Sequence, residues 1–221
     1  MRGVYRHPRV APQIVELQDI RSYLKIDGDY ENTSLRMHLA AAEDFIERNL
    51  NVYIEPGLIT YSLDLPPSVE RERNRRGISY QMDRSNVGDY GSYGYDYFNY
   101  DNGQEVVNLP IFPVMSLDEV RTIDEDGVSS VVAADNYELV ENRIPQQVVF
   151  GKDFSWPSNM RRHGGIEIDY TAGYEDDKIP RDLYYAIIRA AGYYYEHRGE
   201  DAPPPFGILA GIKQHRVINA G

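Results

Sequence analysis

Between Leu50 and Ile59 the hydrophobic period of this chain changes from helical to strand-like, and that change fixes its fold class. In LRMHLAAAEDFIERNL, Leu35, Leu39, Ala42, Ile46 and Leu50 fall on one stripe, the spacing of an amphipathic helix. Thr33 or Ser34 is the expected N-cap, since a short hydroxyl can satisfy an orphan backbone N–H. Pro56 and Gly57 close the region. Ile59, Tyr61, Leu63 and Leu65 then alternate with Thr60, Ser62 and Asp64, as in a half-buried strand. Glu43 and Glu47 sit one turn apart and read as a solvated helix face rather than as paired catalytic carboxylates.

The rest of the chain extends the same division. Leu17, Ile20, Tyr23 and Leu24 mark a short helix within Gln13–Lys25. Strand signals recur near Val106 and at Val120–Ile123, Val128–Val132, Tyr137–Val140, Val148–Phe150 and Ile166–Tyr170. Asp126-Gly127 predicts a hairpin turn, because glycine tolerates the positive φ that such turns need. The surrounding Asp124, Glu125 and Asp126 resemble a calcium loop, but Ala133 stands where the closing Glu belongs. A last helix runs from Pro180 to Arg198, with Pro180 suited to its first turn. Two apolar stripes on it, Leu183, Ile187, Ala190, Tyr194 and Tyr184, Ile188, Ala191, Tyr195, predict packing against more than one surface. The expected class is α+β: a helical bundle from the N-terminal helices and the C-terminal helix, with an antiparallel β module. Residues 1–200 form the domain (helices 14–50 and 180–198, β module 59–170, inserted loop 66–104), and 201–221 form an extended C-terminal tail.

The insertion is the unusual part. It opens on Arg71, Arg73, Arg75 and Arg76 and continues into a Tyr/Gly-rich tract with Tyr80, Tyr90, Tyr93, Tyr95, Tyr97, Phe98 and Tyr100. Too few aliphatics are present for a private core, so these residues are expected to order against a neighbouring subunit or another partner. The tail begins with Pro203-Pro204-Pro205, which favours extended backbone. It then carries Phe206, Ile208, Leu209, Ile212, Lys213 and Arg216 without an acidic side chain, the composition of a docking peptide.

Composition removes several functions. A net charge of −12 and a pI near 4.8 disfavour a general grip on nucleic acid, which needs clustered cations. The absence of cysteine excludes disulfides, thiolate metal sites and a cysteine nucleophile. No run is long enough to span a membrane and no signal peptide is evident, so the expected product is soluble and made in the cytoplasm. There is no phosphate loop, HExxH or GxSxG motif, and His7, His38, His163, His197 and His215 are scattered over unlike segments. No catalytic residue, cofactor or metal is predicted.

Three stretches resemble the phage head–tail connector (adaptor) family, which includes adaptors of gene transfer agents. They are LQDIRSYLKID with LRMHLAAAEDFIERNLN, NLPIFPVMSLDEV with the hairpin after it, and IEIDYTAGY followed by Ile179-Pro180 and a helix ending Tyr195-Glu196-His197-Arg198. The resemblance covers most of the chain outside the insertion and the tail. It implies a non-enzymatic dodecameric ring in the neck of a virion, under the portal protein, with the tail contacting the portal. A tail or tail-completion (nozzle or stopper) protein would bind the ring, and DNA would pass through the lumen without specific binding. A ring of such acidic subunits would repel the DNA backbone, which suits that passage. Two other classes remain open: a carbohydrate- or surface-binding module using Trp156 and the tyrosines, and a hydrolase with an acidic pair.

Overall fold

A computed structural model describes residues 3–8, 14–65, 98–101 (as backbone), 104–175, 178–198, 200 and 203–216. Two antiparallel sheets pack into one core and a helical layer forms a second, so the α+β expectation holds. The five-stranded sheet has β1 (Gly3–Arg6), β2 (Gly57–Leu63), β9 (Ile166–Ala172), β5 (Val114–Ile123) and β6 (Ser129–Val131), in that spatial order. The four-stranded sheet has β3 (Phe98–Asp101), β4 (Gln104–Asn108), β8 (Gln147–Phe150) and β7 (Tyr137–Val140).

The period-two pattern does what it predicts. Ile59, Tyr61 and Leu63 of β2 and Ile166, Ile168 and Tyr170 of β9 point inward, toward Val107, Val148 and Phe150 of the other sheet. The Asp126-Gly127 hairpin joins β5 to β6, with Gly127 at φ 82°. There the Asp124 carboxylate accepts from the backbone N–H of Asp126 (3.0 Å) and of Val128 (2.7 Å), so the acidic tip is a self-satisfied turn.

The helical layer comprises α1 (Leu17–Leu24), α2 (Asn32–Leu50), α3 (Arg181–Glu196) and α4 (Phe206–Ala210). Leu35, Leu39, Ala42, Ile46 and Leu50 of α2 are all buried with Leu183, Ile187 and Ala190 of α3. A methyl group at Gly192 of α3 would lie 2.8 Å from the ring of Tyr23, so α1 packs closely on α3 there and a larger residue would have to push that ring aside. Segment 51–54 is the seam between the cores: Val52 and Ile54 face the helices, whereas Tyr53 faces the sheets. It is held by the Tyr53 N–H on Phe112 O at 2.9 Å and the Tyr174 N–H on Ile54 O at 3.0 Å.

Four sequence expectations need correction. Helix α2 starts at Asn32 with Glu31 at the capping position, ahead of Thr33 and Ser34, and no side-chain cap is made. Pro180 is itself the capping residue of α3 and precedes its first turn. Glu43 and Glu47 are buried rather than solvated. The cause at Glu47 is specific: it accepts a hydrogen bond from the Ile54 N–H at 2.8 Å and faces Arg6 of β1 at 3.6 Å. Finally, the segment after Pro205 is not extended but turns into α4 and a 3-10 turn over Lys213–His215, because Ile208, Leu209 and Ile212 reach the apolar surface of the helical layer.

Candidate assembly surfaces

The C-terminal segment divides its residues between two jobs. Ile208, Leu209 and Ile212 are buried within the chain itself, whereas Phe206 is 81% exposed and Lys213 and Arg216 point outward. The segment is pinned at the start of α3, where the Asp182 carboxylate bonds the His215 ring at 2.7 Å and the Gln214 amide at 2.6 Å. Asp182 also accepts from the Leu183 N–H at 3.0 Å. Partial burial of Asp182 would raise its pKa, but the His215 contact and this N–H outweigh it and hold the carboxyl below its usual range. Burial, reinforced by the Asp182 charge, pushes the neighbouring Tyr174 hydroxyl up to about 12, so it stays protonated at any physiological pH.

The outer face of the five-stranded sheet carries a polar network across three strands and the residue that follows β1. Arg121 on β5 lies 2.8 Å from Asp169 and 3.1 Å from Glu167 on β9, and 3.4 Å from Glu119. The Thr60 hydroxyl of β2 donates to Asp169 at 2.6 Å and stands 3.0 Å from the His7 ring beside β1. These carboxylates bind the strands together; nothing places two of them around a free proton or a nucleophile.

The β1 strand is attached in an uncommon way. Its register with β2 is Gly3↔Ser62, Val4↔Tyr61, Tyr5↔Thr60 and Arg6↔Ile59, yet Val4 is 41% and Tyr5 57% exposed. Only Arg6 reaches inward, its guanidinium 4.8 Å from the centre of the Tyr53 ring and beside Glu47. This attachment was invisible to pattern reading, which saw neither β1 nor the buried role of Glu47. The available signal was a carboxylate at the edge of the apolar stripe of α2, one turn after Glu43 and beside Leu50.

Trp156 does not present an open platform. Its indole packs against Phe150 and Phe154 with centroids 4.7 and 4.8 Å away, and its N–H donates to Glu105. Of the insertion, Arg71, Arg73, Arg75, Arg76, Tyr80, Tyr90, Tyr93, Tyr95 and Tyr97 lie outside the described residues. Phe98 and Tyr100 fall on β3, whose backbone pairs with β4 at Phe98↔Val107 and Tyr100↔Glu105. The five histidines remain dispersed, with His163 3.5 Å from Asp64 and His197 stacked on Tyr193. Among the described residues no group of His, Asp and Glu is placed to hold a metal ion, and no helix is long and apolar enough to cross a membrane.

Comparison with models of known protein families finds no match, and no curated protein matches the chain. Solved structures do. A chain in the neck of the empty gene transfer agent particle, computed with C6 symmetry, superposes with a TM-score of 0.64 at 22% identity. The likeness covers 98% of this chain and 96% of that one. A chain in the neck of the native particle, computed with C12 symmetry, gives the same TM-score, identity and coverage. A chain in the virion of the native particle matches with a TM-score of 0.62 at 23% identity, over 97% of this chain and 95% of that one. The chain therefore has the fold found in these neck structures, the structural class to which its three sequence stretches already pointed.

Proposed function

We propose that this chain is a non-enzymatic head–tail connector (adaptor) subunit of a phage-type virion. In this reading it forms a ring, a dodecamer, beneath the portal in the virion neck and carries the tail or a tail-completion protein on its other side. The observation that carries the reading is the near full-length likeness to neck chains computed with C6 and C12 symmetry. The arrangement of side chains supports it. The carboxylates, histidines and tyrosines described above cross-link elements of the fold, as a scaffold requires.

Within this reading the portal contact falls to Phe206, Lys213 and Arg216, the members of the C-terminal set that α4 leaves outside. Ile208, Leu209 and Ile212 act from beneath by holding that segment in shape. The insertion that precedes β3, with its arginines and tyrosines, faces the next subunit or tail component, and DNA passes through an acidic lumen without specific contacts. The test is to mix the purified chain with its cognate portal and measure mass and symmetry by native mass spectrometry and electron microscopy. A portal-bound ring of about twelve copies is expected. A chain that stays monomeric and unbound with portal present overturns the reading.

A further inference from the structure

We infer that the edge of β2 is an exchange site between copies of this chain: in the assembled ring, the β1 strand of one subunit occupies the β2 edge of its neighbour. The inference rests on the ring reading above and names the partner surface within it. Three features of β1 carry it. First, the strand leaves much of its apolar surface in water, since Val4 is 41% and Tyr5 57% exposed. Its attachment is chiefly the ladder with β2, the inward Arg6 side chain and the His7 contacts to Leu58 and Thr60 beside it. An element held this way belongs to the low-stability end of a fold and opens locally at little cost.

Second, the seat it fills is demanding. Without a strand on it, β2 would leave a row of main-chain groups unpaired at the sheet edge. Glu47, with a side chain only 2% exposed, would lose the Arg6 guanidinium 3.6 Å away, and Tyr53 would lose the cation over its ring. A seat that needs an arginine-bearing strand, and a strand with little else to keep it at home, form a specific but transferable pair. Third, residues 7–13 lie between β1 and the packed residues Ile14 and Val15, a length that spans at most roughly 23 Å when extended. Exchange therefore requires the neighbour's β2 edge to lie within that reach. Exchange conserves every β1 contact, so it links subunits head to tail without any new complementarity, as domain swapping does.

The chain has no cysteine, which makes the test clean. Tyr5 and Thr60 are direct partners in the β1–β2 register, and directly opposed strand residues lie within the roughly 4.4–6.8 Å Cα separation of a disulfide. The Tyr5→Cys/Thr60→Cys chain is assembled with portal, oxidised and run on a denaturing gel. A ladder of covalently linked chains is expected. Rings containing only within-chain disulfides overturn exchange while leaving the connector reading intact; a monomer with within-chain disulfides despite portal removes both. Gly3→Cys/Ser62→Cys repeats the measurement at the other end of the register.

A second arm uses charge. Arg6→Glu and Glu47→Arg should each lose ring assembly alone, and the Arg6→Glu/Glu47→Arg double variant should restore it. An equal mixture of the two single variants assembles only if strands are exchanged, because only then does each seat receive the opposite charge from the other chain. Assembly by the double variant together with failure of the mixture overturns the inference.

Discussion

The side-chain amide of Gln146 bonds both main-chain atoms of Val114, accepting from its N–H at 2.5 Å and donating to its carbonyl at 3.2 Å. It thus stands in for a strand partner at the first residue of β5, where the β5–β9 register is irregular. Its own carbonyl accepts from the Leu109 N–H at 2.9 Å, so one buried residue ties the two sheets together.

Gln146→Leu is therefore expected to strand a buried N–H and a buried C=O, at a cost of about 1–3 kcal/mol for each group left unsatisfied. Urea unfolding should show the loss as a lower midpoint with an unchanged slope. A midpoint equal to that of the parent would mean that water or a local shift replaces the amide.

Ile187 is fully buried in the core cluster that also holds the α2 stripe and the apolar residues of α4. Ile187→Ala should cost about 2–5 kcal/mol, the range for removing a large aliphatic from a core that relaxes only partly. Equilibrium denaturation gives the number, and a loss under half a kilocalorie would contradict the packing of α2 against α3.

Removing residues 202–221 should destabilise the fold as well as weaken portal binding, contrary to what a free tail would do. Ile208, Leu209 and Ile212 cover the helical layer, and Asp182 would lose the His215 contact. Phe206→Ala separates the two roles. That ring is outside, so its truncation should leave the melting temperature within a degree or two of the parent, since surface changes seldom exceed about 0.5 kcal/mol. Portal binding, read by co-sedimentation, should nevertheless fall. Unchanged portal binding by Phe206→Ala would exclude this ring from the contact.

How far the sequence could be read depended on whether a residue's role was local. Leu35 to Leu50 and Ile59 to Leu63 announced themselves because one buried face imposes a period on neighbouring positions. The Asp126-Gly127 turn was legible because its backbone conformation restricts the residue type. What escaped was decided by distant partners. Glu47 looks like any solvated glutamate until Arg6 and the Ile54 N–H, from other elements, arrive beside it. The β1 strand has no alternation to detect, since its ladder with β2 defines it and its side chains do not. Composition reads the apolar residues after Pro205 as a docking peptide for a partner, whereas the chain's own helices cover Ile208, Leu209 and Ile212. The surfaces proposed for assembly share this character: they rest on exposure and reach, which are properties of the folded chain.

His38 provides a pH test of the helical layer. It sits on α2 with the Ser34 hydroxyl 3.3 Å from its ring, the Tyr195 ring against it at 6.1 Å, and Glu31 and Arg198 nearby. Partial burial lowers its pKa from the ordinary 6.5, the Arg198 charge lowers it further, and Glu31 opposes them without reversing the direction. The unfolded chain therefore binds a proton at His38 at a higher pH than the folded chain does. Below about pH 6.5 the unfolded state holds more protons, so stability falls as the solution is acidified through that region and is fully present above it. The informative quantity is the difference between the parent and a variant that lacks this imidazole. The urea midpoint of the parent should drop more between pH 7.5 and 5.5 than that of His38→Gln, which cannot take up the proton. Working above pH 5.5 keeps most carboxylates ionised in both states, Asp182 included, since its pKa is held low. Parallel pH profiles for the two proteins would show that His38 is protonated as easily in the fold as out of it.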